Sequence, residues 1–294
     1  MTFEGAYHGV EDLTVPERMK RAIDAGVDQF GGHHMTDVLL GVVRSGEVSE
    51  ARIDVSARRI LRNLFTLGLF DDPFVDAEKT SEIVGRADFV DAGKRAQRES
   101  VVLLKAGQGG EVTLPLAEGL RLYVEGVDPV LAAQYGQVVE TFDEADVALL
   151  GLQTPWEPRN GNFIEKMLHQ GYLDFQEPEL GRLLAIMKAK PTVVAINLDR
   201  PAVIPEIAAE AAGLLGLFGV SDEIVLEAVF GGSNPTGKLP FELPSSMEAV
   251  RNQHEDVPYD SEDPLFSFGF GLSYEDPTED GVDDPAPDEE DDPA

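Results

Sequence analysis

Five short apolar runs set the limits of what this chain can fold into: 101–104 (Val-Val-Leu-Leu), 120–124 (Leu-Arg-Leu-Tyr-Val), 147–150 (Val-Ala-Leu-Leu), 192–196 (Thr-Val-Val-Ala-Ile) and 213–217 (Gly-Leu-Leu-Gly-Leu). A strand with one wet face alternates polar and apolar residues. These runs do not alternate, so both faces must be covered. Between them, 179–188 and 221–229 have helical spacing, and 205–210 reads as a helix or turn. Buried strands separated by helices predict a mainly parallel sheet with helices on both faces, an α/β sandwich domain.

The region before 101 has a different rhythm. Residues 15–25 read as a helix entered through the first-turn proline Pro16, with Met19, Ala22 and Ile23 apolar. Residues 25–30 (Ala-Gly-Val-Asp-Gln-Phe) have the length and apolar content of a short buried strand. A second helix is expected over 35–44 and a third over 49–67, capped by Ser49. On the third, Ile53, Ala57, Ile60, Leu61, Leu64 and Phe65 share a face that should be buried. Helix, strand, helix, helix is the pattern of the end of a β/α structure whose earlier units are missing. A turn-rich stretch over 68–76 places a boundary near Asp76, and 77–100 resumes helical spacing. Residues 231–274 are rich in Pro, Gly and Ser and are expected to wrap over folded parts. The last twenty residues, 275–294, hold eleven Asp and Glu and no Lys or Arg, and read as a solvated, disordered acidic tail.

Charge narrows the function. The chain has 55 acidic and 23 basic residues, a net charge of −32. Nucleic acid and anionic membrane surfaces both need a Lys/Arg face, and none is visible. Acidic excess keeps proteins soluble where salt screens charge within about 3 Å at 1 M, so a salt-adapted host is expected. There is no cysteine, which excludes disulfides and thiolate metal sites. The residues after Met1 (Thr-Phe-Glu-Gly) lack the basic and apolar regions of a signal peptide, and no apolar run reaches the roughly 18 residues of a membrane span. A cytoplasmic location is the expectation.

One motif invites a nucleotide. Gly232, four intervening residues and then Gly237-Lys238 nearly reproduce a phosphate-binding loop. The context is wrong, however. A helical pattern precedes the loop where a strand should, Leu239 replaces the magnesium-binding hydroxyl, and Pro240 and Pro244 forbid the helix that must follow. The expected role is structural: Gly231-Gly232 ends the preceding helix by positive φ, and Asn234-Pro235 with Thr236-Gly237 makes a further turn.

The same stretch, 229–244 (Val-Phe-Gly-Gly-Ser-Asn-Pro-Thr-Gly-Lys-Leu-Pro-Phe-Glu-Leu-Pro), followed by 264–274 (Pro-Leu-Phe-Ser-Phe-Gly-Phe-Gly-Leu-Ser-Tyr), resembles the closing segments of family 3 glycoside hydrolases of the β-glucosidase type. Upstream, Ala25-Gly-Val-Asp28, Arg52-Ile-Asp54 with Arg58-Arg59-Ile60-Leu61, Leu67-Gly-Leu-Phe70 and Ser100-Val-Val-Leu-Leu-Lys105 follow the family's order and spacing. The resemblance implies the end of a (β/α)8-type barrel over 1–76, an α/β sandwich over 77–244, a wrapping segment over 245–274 and the tail beyond. It also implies retaining hydrolysis of terminal β-glucosides by two carboxyl groups, without a cofactor or metal.

The family's nucleophile is an Asp before an aromatic residue at the end of a late barrel strand. Here only Thr2-Phe3 stands in such a place, so no nucleophile is assigned, and the chain is expected to be incomplete as an enzyme. The acid/base comes from the second domain, on a loop after a strand. Glu157 follows the strand ending at Leu150 and adjoins Trp156, the chain's only tryptophan. An aromatic ring beside a carboxyl keeps water from it, which suits a general acid near neutral pH, and the ring can also stack on a sugar. Glu157 is therefore the candidate acid/base and Glu165 the runner-up, against the plain reading of a surface-loop glutamate. Arg159 is expected to hold a substrate hydroxyl or pair with Glu157. His33, beside His34 after the expected strand, is expected to line the sugar site, where such barrels place theirs. Asp28 is expected to be structural, Lys238 a surface or interdomain cation, and His169 and His254 without assigned function. The expected partners are a β-glucoside or oligosaccharide substrate and a separate chain supplying the missing barrel. The alternatives are one subunit of a split glycosidase or a non-catalytic carbohydrate-binding remnant.

Overall fold

The computed structural model describes residues 9–30, 35–108, 112–158, 167–254 and 256–275. His33, Arg159, Glu165 and the tail from 276 lie outside the described residues. Two compact units divide the chain, Met1–Val84 and Gly85–Ala294.

The first unit is helical. Helix α1 (Val15–Asp24) starts where the Thr14 amide and hydroxyl both donate to Glu17, at 2.7 and 2.6 Å. Helix α2 is Thr36–Arg44. Helix α3 (Glu50–Thr66) is capped by Ser49, whose hydroxyl accepts from the Arg52 amide at 3.2 Å. A short α4 follows at Thr80–Ile83. Met19, Ile23, Val42 and Val48 form a small core, with Phe30, Met35, Leu39 and Ile53 packed against it.

Two expectations fail here. Residues 25–30 form a turn and an extended segment rather than a buried strand, and Val27 is 37% exposed. A strand needs a ladder partner for its backbone groups, and none is present among the described residues. The apolar face of α3 is also covered only in part: Ile53 packs on the small core, whereas Leu61 is 43% exposed and Phe65 66%. Asp28 is structural as expected. It accepts from Ser56 Oγ at 2.7 Å and from Arg59 at 3.1 Å, tying the segment after α1 to α3. These bonds, the Ser56 hydroxyl first, hold its carboxyl below the ordinary range.

The second unit opens with α5 (Ala87–Ser100), then β1 (Val102–Lys105), a β2–β3 hairpin (Gly107–Gln108 and Val112–Thr113) and β4 (Arg121–Glu125). Next come α6 (Pro129–Ala132), β5 (Gln137–Val139), β6 (Val147–Gln153), α7 (Glu179–Ala189), β7 (Thr192–Asn197), α8 (Pro205–Glu210), β8 (Gly213–Leu217), α9 (Asp222–Val229) and α10 (Met247–Asn252). The six-stranded sheet has the order β1-β8-β7-β6-β4-β5, parallel except for β1 against β8.

The unalternated strands have their predicted cause. Along β6, Val147 and Leu149 enter a core with Ile224 and Leu226 of α9, while Ala148 and Leu150 enter one with Leu183 of α7 and Ile207 of α8. Arg182 of α7 bridges Glu125 of β4 and its own neighbour Glu179, at 2.6 and 2.7 Å, fixing that helix over the sheet. Arg98 of α5 pairs with Glu227 of α9 at 2.5 Å.

After α9, Gly231 takes φ +78 and ends the helix, whereas Gly232 does not adopt positive φ. The following segment packs on the sheet. Leu239 and Leu243 are buried in the core with α7 and α8, Leu272 bridges to Leu103, and the Tyr274 hydroxyl donates to the Ala228 carbonyl at 2.5 Å. Burial pushes that hydroxyl's pKa up, so it stays protonated and able to donate. Gly237 passes so close to β1 that a Cβ there would lie 2.7 Å from the Val101 carbonyl oxygen. Lys238, which a phosphate loop would aim at a nucleotide, donates instead to the Gly271 carbonyl at 2.5 Å.

Candidate active site

Parallel strands present their loops at the carboxyl edge of the sheet, and sites in open α/β sheets collect there. At that edge β6 and β7 stay in register up to Gln153 opposite Asn197, whose side-chain amides hydrogen-bond at 3.0 Å. Asn197 Oδ1 also accepts from the Gly219 amide at 2.8 Å, joining the end of β7 to the loop after β8. Thr154 turns inward and is 1% exposed, with its hydroxyl 2.9 Å from the Asn197 carbonyl and 3.2 Å from that of Arg200. The chain leaving β6 therefore has a fixed start, and Pro155, Trp156 and Glu157 follow directly.

The return of the loop meets them. The Glu157 amide donates to the Gln170 carbonyl at 2.7 Å. Gly171 has φ +80, and a Cβ there would fall 2.3 Å from the Glu157 Cβ and 2.5 Å from its Oε2. Only glycine satisfies both the backbone conformation and the space. Further on, the Val203 amide donates to the Leu173 carbonyl at 3.1 Å, and Asp174 bridges Val203 in parallel. Glu157 is half-buried between the two arms.

Trp156 is oriented by His169, a residue without assigned function on sequence alone. Its indole stacks on the imidazole of His169, with ring centroids 4.8 Å apart and planes 12° apart. His169 Nδ1 lies 2.5 Å from Asp199 Oδ2. Arg200, the next residue, donates through Nη2 to the Pro155 carbonyl at 2.5 Å and to the Tyr172 carbonyl at 3.2 Å. The structure thus brings Trp156 and Glu157 together with His169, Asp199 and Arg200. The sequence signal that could have found the last two is their place just past the carboxyl end of β7, where loops of parallel sheets carry function. No such signal exists for His169, which meets Asp199 only through the fold. Among the described residues, no three His, Asp or Glu are grouped so as to hold a metal ion.

Glu157 and Trp156 thus stand together on the connection that follows β6, at the carboxyl edge of a parallel sheet. Residues 73–274 match the Glycosyl hydrolase family 3 C-terminal domain, and the chain belongs to that family. It is 49% identical over 272 residues to beta-glucosidase C of Emericella nidulans, covering 91% of this chain and 43% of that protein. It is 42% identical over 270 residues to the periplasmic beta-glucosidase/beta-xylosidase of Dickeya chrysanthemi, covering 90% and 41%. The chain therefore spans about two fifths of the length of these relatives. The fold is that of a β-glucosidase from Erythrobacter marinus (TM-score 0.64, 22% identity, 88% of this chain and 45% of that one). It is likewise that of the Listeria innocua β-glucosidase solved in complex with glucose (TM-score 0.63, 22% identity, 88% and 44%).

Proposed function

We propose that this chain supplies the sandwich half of a retaining β-glucosidase, with Glu157 as its general acid and base and Trp156 as the surface on which a sugar ring lies. The observation that carries this reading is the placement of Glu157. It stands at the carboxyl end of β6 in a family 3 domain, with its amide fastened to Gln170 and Gly171 leaving room for its side chain. The names of the relatives supply the substrate class, a β-glucoside.

In a retaining reaction the two carboxyl groups stand about 5–5.5 Å apart across the scissile bond. A nucleophilic carboxylate attacks the anomeric carbon while the Glu157 proton passes to the departing glycosidic oxygen. Water then attacks the glycosyl-enzyme ester, releasing the sugar and the nucleophile and returning a proton to Glu157. No residue of this chain is assigned as the nucleophile, which belongs to the barrel.

A second reading concerns residues 1–76 as the C-terminal part of that barrel. Leu61, Phe65, Leu67 and Phe70 are between 43% and 70% exposed, which favours their being covered by further polypeptide, continuous with this chain or separate. Co-expression with a barrel fragment of the family is expected to yield a complex with β-glucosidase activity, and the absence of any complex counts against it.

Within an active assembly, Glu157→Gln is expected to lower kcat/KM at least ~100-fold on glucosides with poor leaving groups and much less on activated ones. Near-normal rates on poor leaving groups reject the assignment. Sugar binding without turnover in every assembly rejects the hydrolase reading altogether.

A further inference from the structure

The two residues after the β7 end loop, Asp199 and Arg200, act on the two flanks of the Trp156-Glu157 pair. Asp199 fixes His169, and His169 lies flat against the Trp156 indole. Arg200 holds the main chain. One of its nitrogens, Nη2, reaches the carbonyl of Pro155 on the outgoing arm and that of Tyr172 on the return, while Nη1 lies 3.5 Å from the Gly171 carbonyl. The planar guanidinium offers donors in fixed directions, which a lysine ammonium at the end of a flexible stem does not. The main chain of Arg200 is in turn placed from β6 by the buried Thr154 hydroxyl. Arg200 Nε is buried with no acceptor among the described residues, so the guanidinium has been set by the loop carbonyls rather than by the needs of all its donors.

We propose that Arg200, with the His169 and Asp199 pair, is the positioning device for Glu157. The clamp fixes the spacing of the two arms, and Glu157 hangs from both, by its own peptide on one side and by the Gln170 carbonyl and Gly171 on the other. Arg200 is a positioning residue, not a catalytic one. Its importance to turnover rests on the reading of Glu157 as the acid, but its effect on loop order does not.

The test uses the full chain and its single tryptophan, which sits inside the clamp. Arg200→Lys and Asp199→Asn are each expected to raise acrylamide quenching of Trp156 about twofold or more, as the loop opens locally without the sheet unfolding. The far-UV thermal transition should stay within a few degrees of wild type. Guanidinium ion added to Arg200→Ala should bring quenching back toward wild type, an effect that a general loss of stability would not give. Wild-type quenching in both Arg200→Lys and Asp199→Asn overturns the proposal. If Arg200→Ala does not fold, the two conservative variants still decide.

Glu157→Gln separates the two ideas. It should leave Trp156 quenching unchanged, and its effect on turnover speaks to the acid alone. In an active assembly, Arg200→Lys is expected to lower kcat about tenfold or more with KM within about twofold, since small misplacements of a catalytic group are expensive in rate. An unchanged kcat contradicts the positioning role even if Glu157→Gln is inactive.

Discussion

The helical unit and the sheet unit treat their apolar residues differently. In the sheet unit Leu103, Leu149, Leu150, Ile196, Leu214 and Leu215 are all under 2% exposed, because helices and the wrapping segment cover both faces of the strands. In the helical unit Leu61 is 43% exposed and Phe65 66%, although their i, i+4 spacing on α3 is that of a buried stripe. The same pattern logic succeeds in one region and fails in the other. Periodicity states which face wants burial, while burial itself requires a partner surface. The sheet unit contains its partners, whereas the described residues of the helical unit cover α3 only near its start, at Ile53 and Ser56.

That contrast can be broken by mutation. Leu150→Ala should destabilise the sheet unit by about 2–5 kcal/mol, the range for emptying a well-packed core site. Denaturant unfolding followed at Trp156 reads this directly, since the tryptophan lies in the sheet unit, and a loss under about 1 kcal/mol would mean that the core is loose. Tyr274→Phe should cost about 1 kcal/mol by removing the hydroxyl bond to the Ala228 carbonyl, which keeps only the long 3.4 Å bond from the Gly231 amide, so the same titration tests whether the wrapping segment is part of the fold or merely laid on it.

A smaller effect is expected at neutral pH from the Arg98 and Glu227 pair that ties α5 to α9, since solvent screens a partly exposed ion pair. The Arg98 hydrogen bond holds the Glu227 carboxyl below its ordinary value of 4.5. The folded state therefore binds this proton less readily than the unfolded state. Its stabilisation is present above pH 4.5 and is lost as pH falls through the depressed folded value. The gap between wild type and Glu227→Gln should accordingly be visible at neutral pH and close at acid pH, and a gap that widens with acid contradicts the assignment. The smallest effect belongs to the helical unit: Phe65→Ser should change stability by no more than about 0.5 kcal/mol in this chain. A large loss there would show that the α3 face is buried after all.

The sequence made the sheet legible and the site only half so. Strands β7 and β8 could be read almost to the residue because their apolar runs are covered on both sides. Strand β5 could not, since Gln137–Val139 is a three-residue edge strand paired to β4 alone. Residues 25–30 have strand composition but no ladder among the described residues. In the site, Glu157 and Trp156 are neighbours in sequence and could be picked out from their place after β6. His169 and Asp199 lie thirty residues apart and meet only because β6 and β7 are adjacent in the sheet. The glycine-lysine loop shows the converse: its spacing suggested a ligand, but Gly237 is needed for the close pass over Val101, and Lys238 is held by the Gly271 carbonyl.

The central claim is that Glu157 delivers and retrieves the proton in a retaining hydrolysis, and azide rescue of Glu157→Ala tests it most directly. In an assembly active on β-glucosides, the variant given an activated glucoside should accumulate its glycosyl-enzyme. Azide, which needs no general base, should then speed turnover at least about tenfold and yield β-glucosyl azide. No change in rate with azide, and glucose as the sole product, would contradict the assignment.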